Sequence, residues 1–461
     1  MLKEFTPRTY QEGMIREMIA QERVNIWARM GAGKTVASLT ALSALKMMGE
    51  VTKPALILGP RRVVNSVWSQ ETQEWEHLAH LKILVIKGTA KQREKLLANV
   101  YDYDAVAITY ELLPWLCEFF EKGWPFEMVI ADESTKLKSF RLGGSAGRRA
   151  RAIGKVAHCN IKRWINLTGT PSPNELLDLW GQQWFIDKGE RLGRTFTDYQ
   201  NKYFAPPYGE FGKWNPFEQS MERIQNLLSD CTIHVDPRQE LGVDEPIVSM
   251  VYVELPVKAN QTYREMLREM YTEINGQPIE AFSAAVKSNK LLQIASGGLY
   301  LEPGKPEYVK IHEEKLEALE EVFHDHDSPL LVGYQFKFEL DMILKKFPWA
   351  RELKGDQDVK DWNAGKIKML LVHPASAGHG LSLQHGGHRV CFYSVGWSSE
   401  HHDQLIERLG PTRQKQSGYD REVYLYYIQT RGTIDTQAFD VVQGKISTQE
   451  ALMHAMKETL E

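Results

Sequence analysis

The chain has 461 residues, 43% of them hydrophobic and 25% charged, with a formal net charge of -4. It is too long for one ordinary domain and has enough apolar content for two or three real cores. The charge excludes binding through a global basic excess, so a polyanionic partner must be held in a locally positive groove.

Cys117, Cys159, Cys231 and Cys391 lie far apart with no CxxC pair. That spacing argues against a zinc site or a disulfide framework and fits a reducing compartment. No apolar run reaches membrane-spanning length, and the start "MLKEFTPRTY" lacks a signal-peptide core. The expectation is a cytoplasmic protein with no membrane partner.

In chain order, the first half repeats one pattern. The apolar runs are "RVNIWA" (23–28), "KPALILGP" (53–60), "KILVIKG" (82–88), "DAVAITY" (104–110), "FEMVIADE" (126–133) and "RWINLTGT" (163–170). Each is punctuated and then followed by a helix-like stretch. Continuous rather than alternating apolarity predicts strands buried on both faces, hence a parallel sheet covered by helices. The second half does the same with "SPLLVGYQF" (328–336), "IKMLLVHP" (367–374), "HRVCFYS" (388–394) and "VYLYYIQ" (423–429). Two α/β units in tandem follow. The expected divisions are a first unit over 1–240, with a helical or irregular insertion near 185–235, a linker over 241–257, and a second unit over 258–461. Residues 258–300 are expected to be mainly helical.

"ARMGAGKT" runs from Ala28 to Thr35, between a buried strand and a helix-like run. It fits the phosphate-binding loop pattern, with Ala28 in place of the first glycine. The chemistry needs backbone N–H groups free to curl around phosphate oxygens, so Met30, Gly31, Ala32 and Gly33 form the cradle. The helix start adds partial positive charge. Lys34 is placed to reach the β- and γ-phosphates of ATP, and the Thr35 hydroxyl to bind Mg²⁺.

"MVIADEST" puts Asp132 and Glu133 at the end of a buried strand. Open parallel sheets bind ligands at the carboxyl ends of their strands. Asp132 is expected to hold Mg²⁺ and Glu133 to polarise the attacking water. The histidine-bearing "HDH" (324–326) and "EHH" (400–402) have no complete ligand set nearby and read as solvated turns.

Taken in order, these and further motifs resemble the superfamily 2 helicases and translocases, specifically the Swi/Snf family of DNA translocases. "PRTYQ" (7–11) resembles the family's adenine-reading motif, which implies nucleotide contacts from Arg8 and Gln11. "MGAGKT" resembles motif I, "DESTKLK" (132–138) motif II, and "LTGTPSPN" (167–174) motif III. "KLLQIASG" (290–297) resembles the Leu-Gln element that opens the second lobe. "SAGHGLSLQ" (376–384) resembles motif V and implies nucleotide contacts from Gly378 and Gly380. The resemblance implies two tandem RecA-like lobes, α/β with parallel sheets flanked by helices and small helical insertions. It places ATP in the cleft between them, and duplex DNA as the track. The chain is short for the family, which suggests a monomeric bacterial or phage-type member acting in the cytoplasm.

A sequence-independent track demands backbone contacts. The candidates are Arg61, Arg62, Thr109, Tyr110, Lys136, Lys138, Thr168 and Thr170 in the first half, and Gln335, Lys354, Ser376 and His379 in the second. "QLIERLGPTRQKQ" (404–416) falls where the family carries motif VI. Gln404 and Arg408 fit the usual spacing. The next arginine is expected at 411, where Pro411 stands, and Arg413 recovers the pattern if Gly410-Pro411 is an insertion. Arg413 is the expected arginine finger and Arg408 its bracing partner, with the reverse order left open. Two other readings stay open at this level: a strand-separating DNA or RNA helicase, and a catalytically silent DNA-binding scaffold.

Overall fold

The computed structural model describes residues 2–29, 31–61, 63–142, 147–169, 171, 176–206, 214–274, 281–302, 304–376 and 381–444. The chain divides into two units, Met1–Glu240 and Leu241–Glu461. Among the described residues, no helix is long and apolar enough to cross a membrane.

The first unit is built on strands β1 (Arg23–Ala28), β2 (Ala55–Gly59), β3 (Ile83–Val85), β4 (Ala105–Thr109), β5 (Met128–Asp132) and β6 (Arg163–Thr168). A two-residue hairpin, β7 (Phe204–Ala205) with β8 (Asn215–Pro216), and strand β9 (Thr232–Val235) follow. The main sheet has seven strands in the order β3-β4-β2-β5-β6-β1-β9, with every pairing parallel. Sequential parallel strands need crossovers, and here helices supply them.

The continuous apolar runs have a direct structural meaning. Alternate residues of each strand feed two separate core layers. Met128 and Ile130 of β5 join Met14, Leu39 and Leu42 of the helices Thr9–Ala20 and Lys34–Met47. Val129 and Ala131 face the other layer with Leu116, Trp180 and Phe185 of the helices Leu113–Phe119 and Leu179–Asp187. A strand covered on both faces has no polar side to show. Each fully buried aliphatic side chain contributes about 1.5–3 kcal/mol by leaving water.

The second unit adds β10 (Ile247–Val253), the hairpin β11 (Gly298–Tyr300) with β12 (Tyr308–Lys310), β13 (Leu330–Gly333), β14 (Arg351–Glu352), β15 (Met369–Val372), β16 (Arg389–Phe392) and β17 (Tyr424–Thr430). Its main sheet has six parallel strands in the order β10-β17-β16-β13-β15-β14. The helices Glu314–His324 and Lys337–Lys346 contribute Leu319 and Ile343 to its core.

The expectation of a linker over 241–257 needs correction. Ile247–Val253 is β10, paired in register with Tyr424–Thr430. It is an edge strand, partly exposed along its length although its sequence IVSMVYV is apolar throughout except Ser249. The helices Val257–Ile274 and Ala281–Ala295 occupy the stretch expected to be helical.

Candidate active site

The phosphate loop follows β1 and opens the helix Lys34–Met47. Gly31 and Gly33 have φ of 81° and 73°, the left-handed region that side chains rarely adopt. A Cβ on Gly33 would also collide with Nε2 of Gln11. Gln11 itself is buried and ties two elements together. Its Oε1 accepts from the Arg8 amide at 3.0 Å, and its Nε2 donates to the Ala32 carbonyl at 3.3 Å. The "PRTYQ" segment is thereby fixed against the loop. The Lys34 ammonium donates to the carbonyls of Ala28 at 2.8 Å and Arg29 at 3.3 Å. Thr35 is the second residue of the helix, half-buried beside it.

Asp132 ends β5, on the same sheet edge as the loop because all strands run parallel. Both carboxylates of the pair are buried, Asp132 at 8% and Glu133 at 6% exposure. Burial, and after it the charge of Glu133, push the Asp132 carboxyl up to about 7. The Lys34 ammonium pulls the other way, which places the loop's cation within electrostatic reach of the strand end. Glu133 adopts φ of 56°, a left-handed conformation that costs about 1–3 kcal/mol for such a residue. Strain of this kind persists only where the surroundings enforce it.

The donor set suits a hard cation. The Thr35 hydroxyl and Asp132 carboxylate are oxygen donors, and Mg²⁺ sites of this class take one or two protein oxygens and complete themselves with phosphate and water. Among the described residues, no group of three or more His, Cys, Asp or Glu is placed to hold a metal ion. The glycine cradle and Lys34 fit the phosphates of ATP.

Two expected nucleic-acid contacts are corrected by their burial. Tyr110 is 1% exposed, and its hydroxyl donates to the Asp132 carbonyl at 2.9 Å. Its ring belongs to the core and its polar tip braces the acidic turn. Thr168 has no exposure at the end of β6. Neither can meet a phosphate backbone. Arg61 and Lys136 are exposed and Thr109 is half-buried. Lys138 is paired with Asp178 at 2.8 Å. In the second unit Lys354 and Ser376 are exposed, and Lys354 lies 3.2 Å from Glu352. The amide of Gln335 donates to Glu339 at 2.6 Å. Met30, Arg62, Thr170, Gly378, His379 and Gly380 lie outside the described residues.

The Gly-Pro pair between the arginines divides two helices. Ser399–Ile406 ends before Arg408, and Pro411 is the first residue of the helix Pro411–Gln416, where its missing N–H costs nothing. Arg408 is 1% exposed, and its guanidinium donates to the Leu381 carbonyl at 3.4 Å. Arg413 donates to the Ser382 hydroxyl at 3.5 Å. Burial lowers the Arg413 pKa, against the pull of Glu407. The two arginines therefore converge on neighbouring residues of one segment from two separate elements.

Sequence reasoning missed the supports. Trp68, Tyr110, Ser134 and Gln182 are buried around the acidic turn. The signal available was "WGQQWF" (180–185), two glutamines inside an otherwise apolar run.

Residues 15–296, more than half of the chain, match the model of the SNF2-related domain. Protein p41 of Acyrthosiphon pisum secondary endosymbiont phage 1 is 42% identical over 99% of this chain and 100% of its own length. The chromatin-remodelling complex ATPase ISW1 of Saccharomyces cerevisiae is 21% identical over 94% of this chain and 39% of its own. The helicase/translocase-type protein YwqA of Bacillus subtilis is 22% identical over 92% and 46%. The chain thus spans the whole of p41 but less than half the length of ISW1 and YwqA. Among solved structures, the SWI2/SNF2 ATPase core of Sulfolobus solfataricus in complex with dsDNA aligns over 98% of this chain and 95% of that one, with 20% identity and a TM-score of 0.44.

Proposed function

The chain belongs to the SNF2-related family and is an SNF2-type ATPase, and from that premise we propose that it couples ATP hydrolysis to movement along duplex DNA. The observation that carries the chemistry is the meeting of a left-handed glycine loop and a buried acidic pair on one sheet edge, with Lys34 acting on Asp132. In this reading Arg8 and Gln11 hold the adenine. Lys34 and the loop amides hold the phosphates, and Thr35 and Asp132 hold Mg²⁺. Bound Mg²⁺ neutralises charge on the phosphate oxygens. Glu133 orients and polarises the attacking water from a fixed, desolvated position. Arg413 is the arginine finger, and Arg408, anchored at Leu381, holds the turn that presents it.

Movement on DNA is supported by two relatives, one named as a chromatin-remodelling ATPase and one as a helicase/translocase. The exposed Arg61, Lys136, Lys354 and Ser376 are the phosphate contacts of this reading, together with the less exposed Thr109, Lys138 and Gln335.

The test is ATP hydrolysis measured with no nucleic acid, single-stranded DNA, duplex DNA and RNA. Stimulation by duplex DNA above the other three is expected. Equal rates in all four would remove DNA from the account. Separation of a tailed duplex in a strand-displacement assay would replace translocation with unwinding.

A further inference from the structure

The turn that carries Glu133 closes on its own backbone, the Lys136 amide donating to the Glu133 carbonyl at 3.0 Å, and is braced from outside as well. The next residue, Ser134, has no exposure, and its hydroxyl donates to Oε1 of Gln182 at 2.9 Å. The other end of the same amide, Nε2, donates to the Pro171 carbonyl, just beyond β6. One side chain thereby bridges the acidic turn and the segment that follows the neighbouring strand. A glutamine suits this task because its amide accepts at one atom and donates at the other.

Gln182 is itself fixed on three sides. It lies in the helix Leu179–Asp187, all nine residues of which are buried. Its backbone carbonyl accepts from Asn166 Nδ2 at 3.0 Å, and Asn166 also donates to Asn25 Oδ1 at 3.0 Å. Asn25 in turn donates to Gln183 Oε1 at 2.8 Å. These groups have 0–1% exposure, so they form a polar network inside the core. The helix also comes close to the turn's backbone. A Cβ on Gly181 would collide with the carbonyl oxygen of Lys138 and lie 3.0 Å from that of Leu137. Only glycine permits that approach.

We infer that Gln182 is a positioning residue for Glu133, with Gly181 setting the distance at which it works. Glu133 sits in a left-handed conformation that must be imposed from outside. The Ser134 anchor, one residue on, supplies that constraint. The bridge to Pro171 makes the orientation of the turn depend on where Pro171 is held. The inference rests on the role given to Glu133 above, and it adds a residue that lies outside every motif the sequence displays.

The test compares the full-length chain with Q182M, G181A and the double variant S134A/Q182M. In Q182M the Ser134 hydroxyl loses its partner. The turnover number for ATP is expected to fall about tenfold with KM for ATP little changed, because misplacing a reacting group acts on the chemical step. G181A is expected to act in the same direction by displacing the helix. Removing both partners in S134A/Q182M removes the unsatisfied hydroxyl but not the loss of a donor at the Pro171 carbonyl, so thermal stability should recover in part while turnover stays low. Turnover that recovers together with stability, or a Q182M enzyme within twofold of wild type, would overturn the inference. Amide hydrogen exchange gives a readout independent of catalysis. Exchange over 133–137 is expected to quicken in Q182M, with the helix Thr9–Ala20 unaffected. A wild-type chain without turnover would count against the ATPase reading, and exchange would still decide the inference. Unchanged exchange over 133–137 would reject it.

Discussion

Both units present the carboxyl edge of a parallel sheet, yet their polar groups at that edge are in different states. In the first unit Glu133 is held at φ of 56° and the Asp132 carboxyl is pushed up to about 7 by burial and by its neighbour. In the second, Lys315 and Asp435 have no exposure and lie 2.6 Å apart. The Lys315 ammonium also donates at 3.0 Å to the carbonyls of Tyr393 and Ile428. Glu339 accepts from the amides of Gln335 and Phe336, just after β13. The first edge keeps a strained backbone and a buried acidic pair at its strand end. The second neutralises its buried ammonium with a carboxylate, although burial also pushes the Glu339 carboxyl up. The same architecture thus holds an acidic pair at one edge and a lysine-aspartate pair at the other.

The sharpest way to break that contrast is to disarm the first edge. Lys34→Ala and Glu133→Gln should each lower ATP turnover by at least roughly 100-fold. Glu133→Gln should keep nucleotide binding, whereas Lys34→Ala should weaken it, as read by titration of a fluorescent ATP analogue. A Glu133→Gln enzyme with near-normal turnover would reassign the water-polarising role.

The second edge should respond in stability instead. Lys315→Met leaves the buried Asp435 charge without its cation and should cost about 3–5 kcal/mol in denaturant unfolding. Lys315→Met with Asp435→Asn should recover much of that. A loss no larger than for an exposed pair would mean that the buried pair does not brace the second edge.

Between these lies the brace. Tyr110→Phe removes the bond to the Asp132 carbonyl and should cost about 1 kcal/mol of stability. Affinity for duplex DNA, measured by anisotropy, should not change. A large loss of DNA affinity would restore Tyr110 as a contact.

The smallest expected effect concerns Glu71. Burial raises its carboxyl from about 4.5 to about 7, opposed by a hydrogen bond from the Trp75 indole. A carboxyl raised in the folded state contributes stability below its unfolded pKa and loses it as pH rises through the folded value. Glu71→Gln should therefore melt higher than wild type at pH 8, with the gap closing toward pH 5. A gap independent of pH would show that Glu71 titrates normally.

These outcomes also bear on what the sequence displays. Strands covered on both faces, such as β2 and β5, announce themselves as unbroken apolar runs. β9 does not, because it is a short edge strand that is mostly partly exposed, whereas β10 is apolar at all positions but Ser249 and carried the signal. The phosphate loop is legible because phosphate binding dictates residue types at fixed spacing. Tyr110 and Thr168 were misassigned because position at a strand end does not say which way a side chain points. The bridge from Ser134 to Gln182 spans 48 residues of sequence, and the glutamines of "WGQQWF" mark one end without naming its partner.

The central claim is movement along intact duplex DNA. Displacement of a third strand from a DNA triplex, followed with ATP for wild type and Glu133→Gln, measures it directly. The account predicts ATP-dependent displacement by wild type, none by Glu133→Gln, and no separation of the underlying duplex. Duplex-stimulated ATP hydrolysis with no displacement of the third strand would contradict it.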